Sequence, residues 1–457
     1  MYNKPSKNAR FNKKIQRCRA LYTSYPTVPY WDDESFSHNR WLATIKKSAC
    51  PNDSISLYIH LPFCESLCTF CACNKRITKR HNVEKPYIKA LLKELDLYTI
   101  VYGFKLTIKE IHLGGGTPTF FSPENLAKLL QGIFERTFIA DDAEFSFEGH
   151  PNNTTFEHLK VLHDYHFSRV SYGIQDYNES VQKAINRIQS FENVKYVTET
   201  ARAIGYKSVG HDLIYGLPFQ TVEHILNTIQ STIELKPDRI AFYSYAHTPW
   251  IKGNGQRGFK YSDLPNAETK RLQYELGKKI LEDNGYQEIG MDHFALADDE
   301  LYQAKQNKTL HRNFMGYTTQ QTKHLIGLGV SSISDAWFGF AQNEKTLEEY
   351  YNRLRQNKIP VFRGHILTSE DLEIRQHILN LMTKFETDLT NTKLHIKTLQ
   401  LIYQNLQTFV DDDLIEIKNK HIKVYDTSKA FIRNICMAFD VRMLRKKPNT
   451  QLFSMTI

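Results

Sequence analysis

The stretch Leu57–Arg76, LYIHLPFCESLCTFCACNKR, carries Cys64, Cys68 and Cys71 in a C-x3-C-x2-C spacing directly after a run of strand-forming residues. Three thiolates this close suit three irons of a [4Fe–4S] cube and leave the fourth iron open, whereas a structural zinc site closes with four protein ligands. An open iron is a place for a small molecule to bind. Cys73 is the fourth cysteine of the loop and stands outside the triad.

Outward from this loop, β-rich runs alternate with helical patterns from Ser54 onward, the signature of parallel β/α units. Strands are expected at 54–62, 109–114, 143–148, 169–175, 208–214 and 239–246. Between the first two, Ile88, Leu91, Leu92, Leu95 and Tyr98 recur at helical spacing, with Pro86 in the first turn. Ser122 and Thr221 stand as N-caps of two further helices. Six units, rather than eight, make an open (β/α)6 partial barrel with a lateral mouth, and barrel chemistry gathers at the C-terminal ends of the strands. Glu148, Gln175 and Asp212 fall at those ends, beside the cysteine loop and the glycine loop Gly114–Thr119.

The flanks read differently. Residues 1–45 form a basic, aromatic arm, with seven cations and no acid in the first twenty positions, then LYTSYPTVPYW, whose Tyr22, Tyr25 and Tyr30 suit covering a ligand. Residues 46–340 are expected to hold the barrel and a substrate-cleft extension. Residues 341–457 read as a mainly helical domain: a helix opening at Thr368/Ser369, a hairpin turning at Asn419–Lys420, and a final helix through RNICMAFDVRMLRKK. Together these resemble a winged helix, but no helix rich in base-reading side chains accompanies them, so nucleic acid is not the expected partner.

With 457 residues, 41% hydrophobic and 24% charged, the chain can build a sizeable core and exceeds one average domain. The net charge of +9 describes a solvated basic surface. No apolar run is long enough to span a bilayer and no secretory signal is read. Seven cysteines, four of them in one loop, argue against a disulfide framework and for a reducing, cytoplasmic setting; Cys18, Cys50 and Cys436 read as ordinary thiols.

The glycines of GGGTPT let the backbone approach a ligand, and their N–H groups can meet a carboxylate. Grouped at the barrel mouth, Glu148, Gln175, Arg187 and Asp212 suit ribose hydroxyls and a carboxylate, the latter against Arg187.

The cysteine loop, preceded by Tyr58 and followed by Lys75 and Arg76, resembles the radical S-adenosylmethionine (SAM) superfamily. The resemblance narrows: LYTSYPT, YIHLPFCESLCTFCACNK, GGGTPT, GIQDYNESVQKAINR, DLIYGLPFQT, YSYAH, GMDHFA, LHRNFMGYTT and RNICMAFD stand in the same order as in the oxygen-independent coproporphyrinogen III oxidases. This implies decarboxylation of two propionates of coproporphyrinogen III to vinyl groups, begun by a 5′-deoxyadenosyl radical from SAM. It implies Cys64, Cys68 and Cys71 as ligands of a [4Fe–4S] cluster. Tyr58, Phe70, Gly115, Gly116, Thr117, Glu148, Gln175, Arg187, Asp212, Ala246 and Ile333 are implied as SAM contacts, with a second SAM beside the first. Cys73 and Arg312 are the expected catalytic or substrate-facing residues, Arg312 as a cation for a substrate of four carboxylates. A monomer served by an electron donor such as flavodoxin or ferredoxin is also implied.

One departure is the reading EGHPNN, with His150 and Asn152 where many members carry Asp and Arg. Two other readings share the cluster. A haem-binding or haem-delivery relative generally lacks LYTSYPT, Cys73 and HRNFMGYTT; a haem-ring-opening radical enzyme differs in substrate.

Overall fold

Ser54–Leu61 (β1) opens a run of six parallel strands: Thr107–Gly115 (β2), Phe138–Gly149 (β3), Phe167–Gln175 (β4), Ser208–Tyr215 (β5) and Arg239–Ser244 (β6). The computed structural model describes residues 22–32, 34, 36–250, 255–256 and 258–446. The basic stretch of the arm and Cys18 lie outside them. Helices return the chain between strands, namely Glu84–Tyr102 (α2), Pro123–Arg136 (α3), Phe156–Asp164 (α4), Phe191–Ile204 (α5) and Val222–Glu234 (α6), with His38–Ser48 (α1) before the first strand. The caps expected from sequence form: Ser122 Oγ accepts from Asn125 N, and Thr221 makes a capping box with His224.

The sheet does not end at six strands. Gln287–Gly290 (β7) and His293–Ala295 (β8) extend it beyond β6, while Leu325–Leu328 (β9), Ile333–Asp335 (β10), Gly339–Asn343 (β11) and Val361–Ile366 (β12) extend it beyond β1. The order is β12-β11-β10-β9-β1-β2-β3-β4-β5-β6-β8-β7, with β9 parallel to β1 and the outer strands antiparallel. The boundary expected at 340/341 therefore cuts through β11. Hydrogen bonding runs on through β12, and the helical pattern read after 340 begins with a helix, Leu347–Arg355 (α7), that packs on α2. Buried Glu94 of α2 makes that joint by accepting from Gly329 N, Asn343 Nδ2 and Tyr350 Oη.

A second core gathers Ser369–Lys384 (α8), Ile396–Asp411 (α9) and a three-stranded sheet whose hairpin turns at Asn419 and Lys420, both at positive φ. Tyr22 and Tyr25, expected to cover a ligand, are instead buried in this core, where Tyr25 Oη donates to Asp371 at 3.0 Å. The expected final helix is two short ones, Ile432–Met437 and Val441–Arg445. The break comes where Asp440 turns to cap the second, accepting from Met443 N. Among the described residues no helix is long and apolar enough to cross a membrane.

Candidate active site

Strand register assembles the site. Tyr58 of β1 pairs with His112 of β2, His112 with Ser146 of β3, Glu148 with Ser171 of β4, and Gly173 with Asp212 of β5. Alternate residues of a strand share a face. His60 thus accompanies Tyr58, and His112 accompanies Gly114. The Tyr58 hydroxyl is hydrogen-bonded to His60 Nδ1 at 3.0 Å, and its ring stacks on His112 at 6.0 Å. His60 Nε2 meets the Asn74 carbonyl at 2.8 Å, which ties this row to the far end of the cysteine loop.

The glycine loop and the cysteine loop interlock. Gly115 has φ +117°, and a Cβ on it would strike the His60 ring; a Cβ on Gly116 would lie 2.6 Å from Pro62 C and 3.0 Å from Cys64 Sγ. Glycine is required here because the two loops touch. Gly116 N donates to Leu61 O and Thr117 N to Phe63 O, which leaves Thr117 Oγ1 to donate to Cys64 Sγ at 3.3 Å. Gly115 N donates to Glu148 Oε2 at 3.3 Å, and His112 Nε2 lies 3.5 Å from Oε1.

On the opposite rim, Arg187 Nη2 donates to Gly173 O at 2.6 Å and Nη1 reaches Cys68 Sγ at 3.8 Å, while its buried Nε has no partner. Gln175 is buried at φ +69°, its amide close to Gly173 and hence to Arg187. Asp212 accepts from Ser171 Oγ at 2.9 Å, and burial, with Glu148 adding to it, pushes its carboxyl up to about 7. Gln256 Nε2 bridges the Phe70 and Ala246 carbonyls at 2.9 and 3.0 Å, and the Phe70 ring packs against Val181, Ile185 and Tyr245. Ile333 sits apart from these contacts, its side chain beside Trp31 and Phe340 and its carbonyl against Gly327, the register partner of Tyr58.

The thiols differ in surroundings. Burial pushes Cys64 up to about 11, whereas a hydrogen bond from Cys73, helped by Lys75 and Arg187, brings Cys71 down to about 6. Cys73 is exposed. His150 and Asn152 of the departing EGHPNN segment stitch the turn after β3: Asn152 N donates to His150 Nδ1, and Asn152 Nδ2 donates to Ile188 O beside Arg187.

Arg312 lies deeper, on the hairpin His311–Asn313/Gly316–Thr318, with its guanidinium 4.7 Å over the Tyr317 ring. It is 9% exposed, yet Nε and Nη1 have no partner. His293 stands against the same Tyr317 ring and meets Tyr243 Oη at 3.3 Å. Burial, reinforced by the Arg312 charge, holds His293 down to about 3, so it is neutral. A cavity of about 160 Å³ joins this group to the strand-end row, lined among others by Glu148, Ser171, Asp212, Tyr243, His293 and Tyr317. Sequence reading missed His60, His112, Ser171, Tyr243 and His293. Strand parity would have found the first two, whereas Gln256 leaves no signal because it sits in a loop.

The profile described as the Radical SAM superfamily matches residues 58–232. Over 445 residues, 95% of each chain, the protein is 38% identical to the oxygen-independent coproporphyrinogen III oxidases of Salmonella typhimurium and Escherichia coli (strain K12). The chain belongs to the oxygen-independent coproporphyrinogen III oxidases. The Helicobacter pylori (strain ATCC 700392 / 26695) member of this family is 38% identical over 430 residues, 92% of this chain and 93% of its own. The solved structure of coproporphyrinogen III oxidase (HemN) from Escherichia coli, a radical SAM enzyme, superposes with a TM-score of 0.86 at 36% identity, covering 92% of this chain and 97% of that one. The expected radical SAM partial barrel is therefore present.

Membership of this radical SAM family implies a [4Fe–4S] cluster and SAM, and the residues fit both. Among the described residues no three His, Cys, Asp or Glu side chains gather around one point as ligands of a single ion would, so the triad is judged by what surrounds each thiol. Cys64 and Cys68 already receive donors from Thr117 and Arg187, and Cys71 favours its thiolate. The unpartnered Arg187 Nε, the close backbone of the glycine loop and the Glu148 and Asp212 carboxylates are donors and acceptors of the kind that an amino acid joined to a ribose requires.

Proposed function

We propose that this protein catalyses oxygen-independent oxidative decarboxylation of coproporphyrinogen III, converting two propionates to vinyl groups and yielding protoporphyrinogen IX. The observation that carries this is likeness to enzymes of that name along 95% of the chain, and it favours this reading over haem delivery or ring opening.

When bound, the cluster and SAM would supply a carbon radical to take hydrogen from the propionate β-carbon, after which CO2 and one further electron, passed to an acceptor, leave. The chain's own residues hold and orient these groups. Cys64, Cys68 and Cys71 hold the cluster on a loop pinned by Thr117 and the His60–Asn74 contact. Arg187 is placed for the methionine carboxylate, Glu148 and Asp212 for polar hydrogens of SAM, and Phe70 and Ala246 for the adenine side. Tyr58, Gly115, Gly116, Thr117 and Gln175 shape the floor and rim of this cradle. Arg312 anchors a propionate: its unpaired, desolvated guanidinium stacks on Tyr317, which with His293 lines the cavity that opens onto the same strand ends, and a charge-assisted Arg–carboxylate contact is among the stronger hydrogen bonds. Cys73, exposed beside the ligand triad, is placed to meet the substrate side of the loop. Ile333 and a second SAM complete the reading with no contact assigned to them.

The chain acts as a monomer with a one-electron donor protein. A cytoplasmic setting suits thiols that must stay reduced to bind iron.

The test is anaerobic: reconstitute the cluster, add dithionite, SAM and coproporphyrinogen III, and follow tetrapyrroles and 5′-deoxyadenosine. Protoporphyrinogen IX is expected. Tight haem binding with coproporphyrinogen III unchanged, under verified cluster reduction, overturns the reading. Cys68→Ala should abolish both cluster assembly and turnover.

A further inference from the structure

The short strand Phe63–Cys64 pairs in parallel with Arg76–Ile77, so that Cys64 lies opposite Ile77. Arg76 N donates to Pro62 O at 2.7 Å and Thr78 N to Cys64 O at 2.9 Å. The surface at Ile77 is thus one strand spacing, about 5 Å, from the main chain of a cluster ligand. Ile77 is 41% exposed and sets an apolar side chain among the cations of this segment. Arg76, Lys79, Arg80, Lys85 and Lys89 surround it in the chain, all exposed.

This face has little acid to balance it. Glu84 is buried, accepting from Ser122 N and Asn125 Nδ2, and Glu65 lies 3.8 Å from His81. The cations continue along the groove between α2 and α3, of about 390 Å³, where Lys85, Lys89, Lys93 and Lys128 line the walls and Asp96 is taken by Arg136. Glu124, on the first turn of α3, and Glu65 are exposed carboxylates, set against the five exposed cations Arg76, Lys79, Arg80, Lys85 and Lys89. An apolar centre in a cationic rim is the pattern of a surface that steers an oppositely charged protein and then seats it.

We propose that the face formed by residues 76–93 and the adjoining α2–α3 groove docks an acidic one-electron carrier protein, which delivers its electron to the cluster through the Ile77–Cys64 strand pair. This rests on the function proposed above, since the site needs one electron for each SAM cleaved. In the step the carrier is oxidised by one electron and the cluster reduced by one, with no proton or group transferred.

The experiment compares the reconstituted wild type with Lys79→Glu/Arg80→Glu/Lys85→Glu and with Lys308→Glu, a charge reversal at an exposed position outside this face. The probes are photoreduced flavodoxin and, separately, dithionite. Cluster reduction is followed by absorbance and electron paramagnetic resonance, and binding by fluorescence anisotropy of labelled flavodoxin. At low ionic strength the triple variant should bind and be reduced by flavodoxin about tenfold or more slowly and weakly, and the difference should shrink in high salt. Dithionite-driven turnover should match wild type, as should all behaviour of Lys308→Glu. The milder Lys79→Gln/Lys85→Gln, with iron content measured, replaces the triple variant if that one fails to load its cluster, and should show a smaller loss in the same direction. Wild-type rates with flavodoxin in the loaded charge-reversed protein, or equal losses with dithionite, overturn the proposal. Absence of product in the wild-type dithionite arm instead counts against the function itself.

Discussion

At the scale of single residues, the site contrasts groups that stability requires with groups that stability would remove. Arg312 is of the second kind: a buried cation without a partner is a cost to the folded state, offset in part by its stacking on Tyr317. Arg312→Met should therefore leave Tm unchanged or raise it, while kcat/KM for coproporphyrinogen III falls roughly 10- to 100-fold, the equivalent of about 1.5–3 kcal/mol for a charged hydrogen bond. Thermal melts beside steady-state kinetics check this, and a large fall in Tm would assign Arg312 to the scaffold. Gly116 is of the first kind. A Cβ there presses on Pro62 and Cys64, so Gly116→Ala should cost about 1–3 kcal/mol of overpacking and lower the iron bound per chain. Iron analysis after reconstitution measures the loss, and full loading at wild-type Tm would contradict the interlock. The cysteine and glycine motifs were legible because their chemistry is local and their spacing is short. Arg312 was legible as a candidate by its motif, but its lack of a partner is a property of the packed interior.

At the scale of elements, Asp371 on the first turn of α8 clasps three segments. It accepts from Arg442 Nε and Nη2, both at 2.7 Å, from Thr368 N at 2.9 Å and from Tyr25 Oη at 3.0 Å. Burial works against ionisation, but Arg442 and the other donors prevail and hold the carboxyl well below the ordinary range. A carboxylate whose pKa is depressed on folding contributes stability that is complete above its unfolded pKa, near 3.9, and is lost as pH falls through that value toward the folded one. Acid unfolding of the wild type should therefore steepen below about pH 4. Asp371→Asn, which leaves Arg442 without its partner, should cost about 3–5 kcal/mol at neutral pH and flatten that acid limb. Denaturant titrations at pH 7 and at about pH 2.5, well below the unfolded pKa, read both effects, and an equal ΔΔG at the two would rule the clasp out. The N-cap at Thr368 was visible in sequence. The partners Tyr25 and Arg442, 346 and 71 positions away, were not.

At the scale of the molecule, the two cores share members. Ile289 of β7 and Ala295 of β8 belong to the twelve-stranded sheet and yet lie in the C-terminal core with Tyr22 and Tyr25, and Arg433 pairs with Asp292 across the same junction, one contact at 3.0 Å. Scanning calorimetry should accordingly show one cooperative transition with equal calorimetric and van't Hoff enthalpies, and two separated transitions would mean that the cores unfold independently. The six central strands, three of the helices between them and the loops at their C-terminal ends followed from the sequence, because hydrophobic period, caps and glycine turns act over a few residues. So did the cysteine triad and, through ordered motifs, the family. Where the sheet ends did not follow: β9 joins β1 through residues 269 positions apart, and β11 and β12 continue an edge that the helical pattern after residue 340 made look like a boundary. The burial of Tyr22 and Tyr25, the neutral His293 beside a partnerless Arg312, and the cationic face over Cys64 were likewise decided in three dimensions. Strand pairing, burial and charge are sums over neighbours, and only the folded chain says which residues those neighbours are.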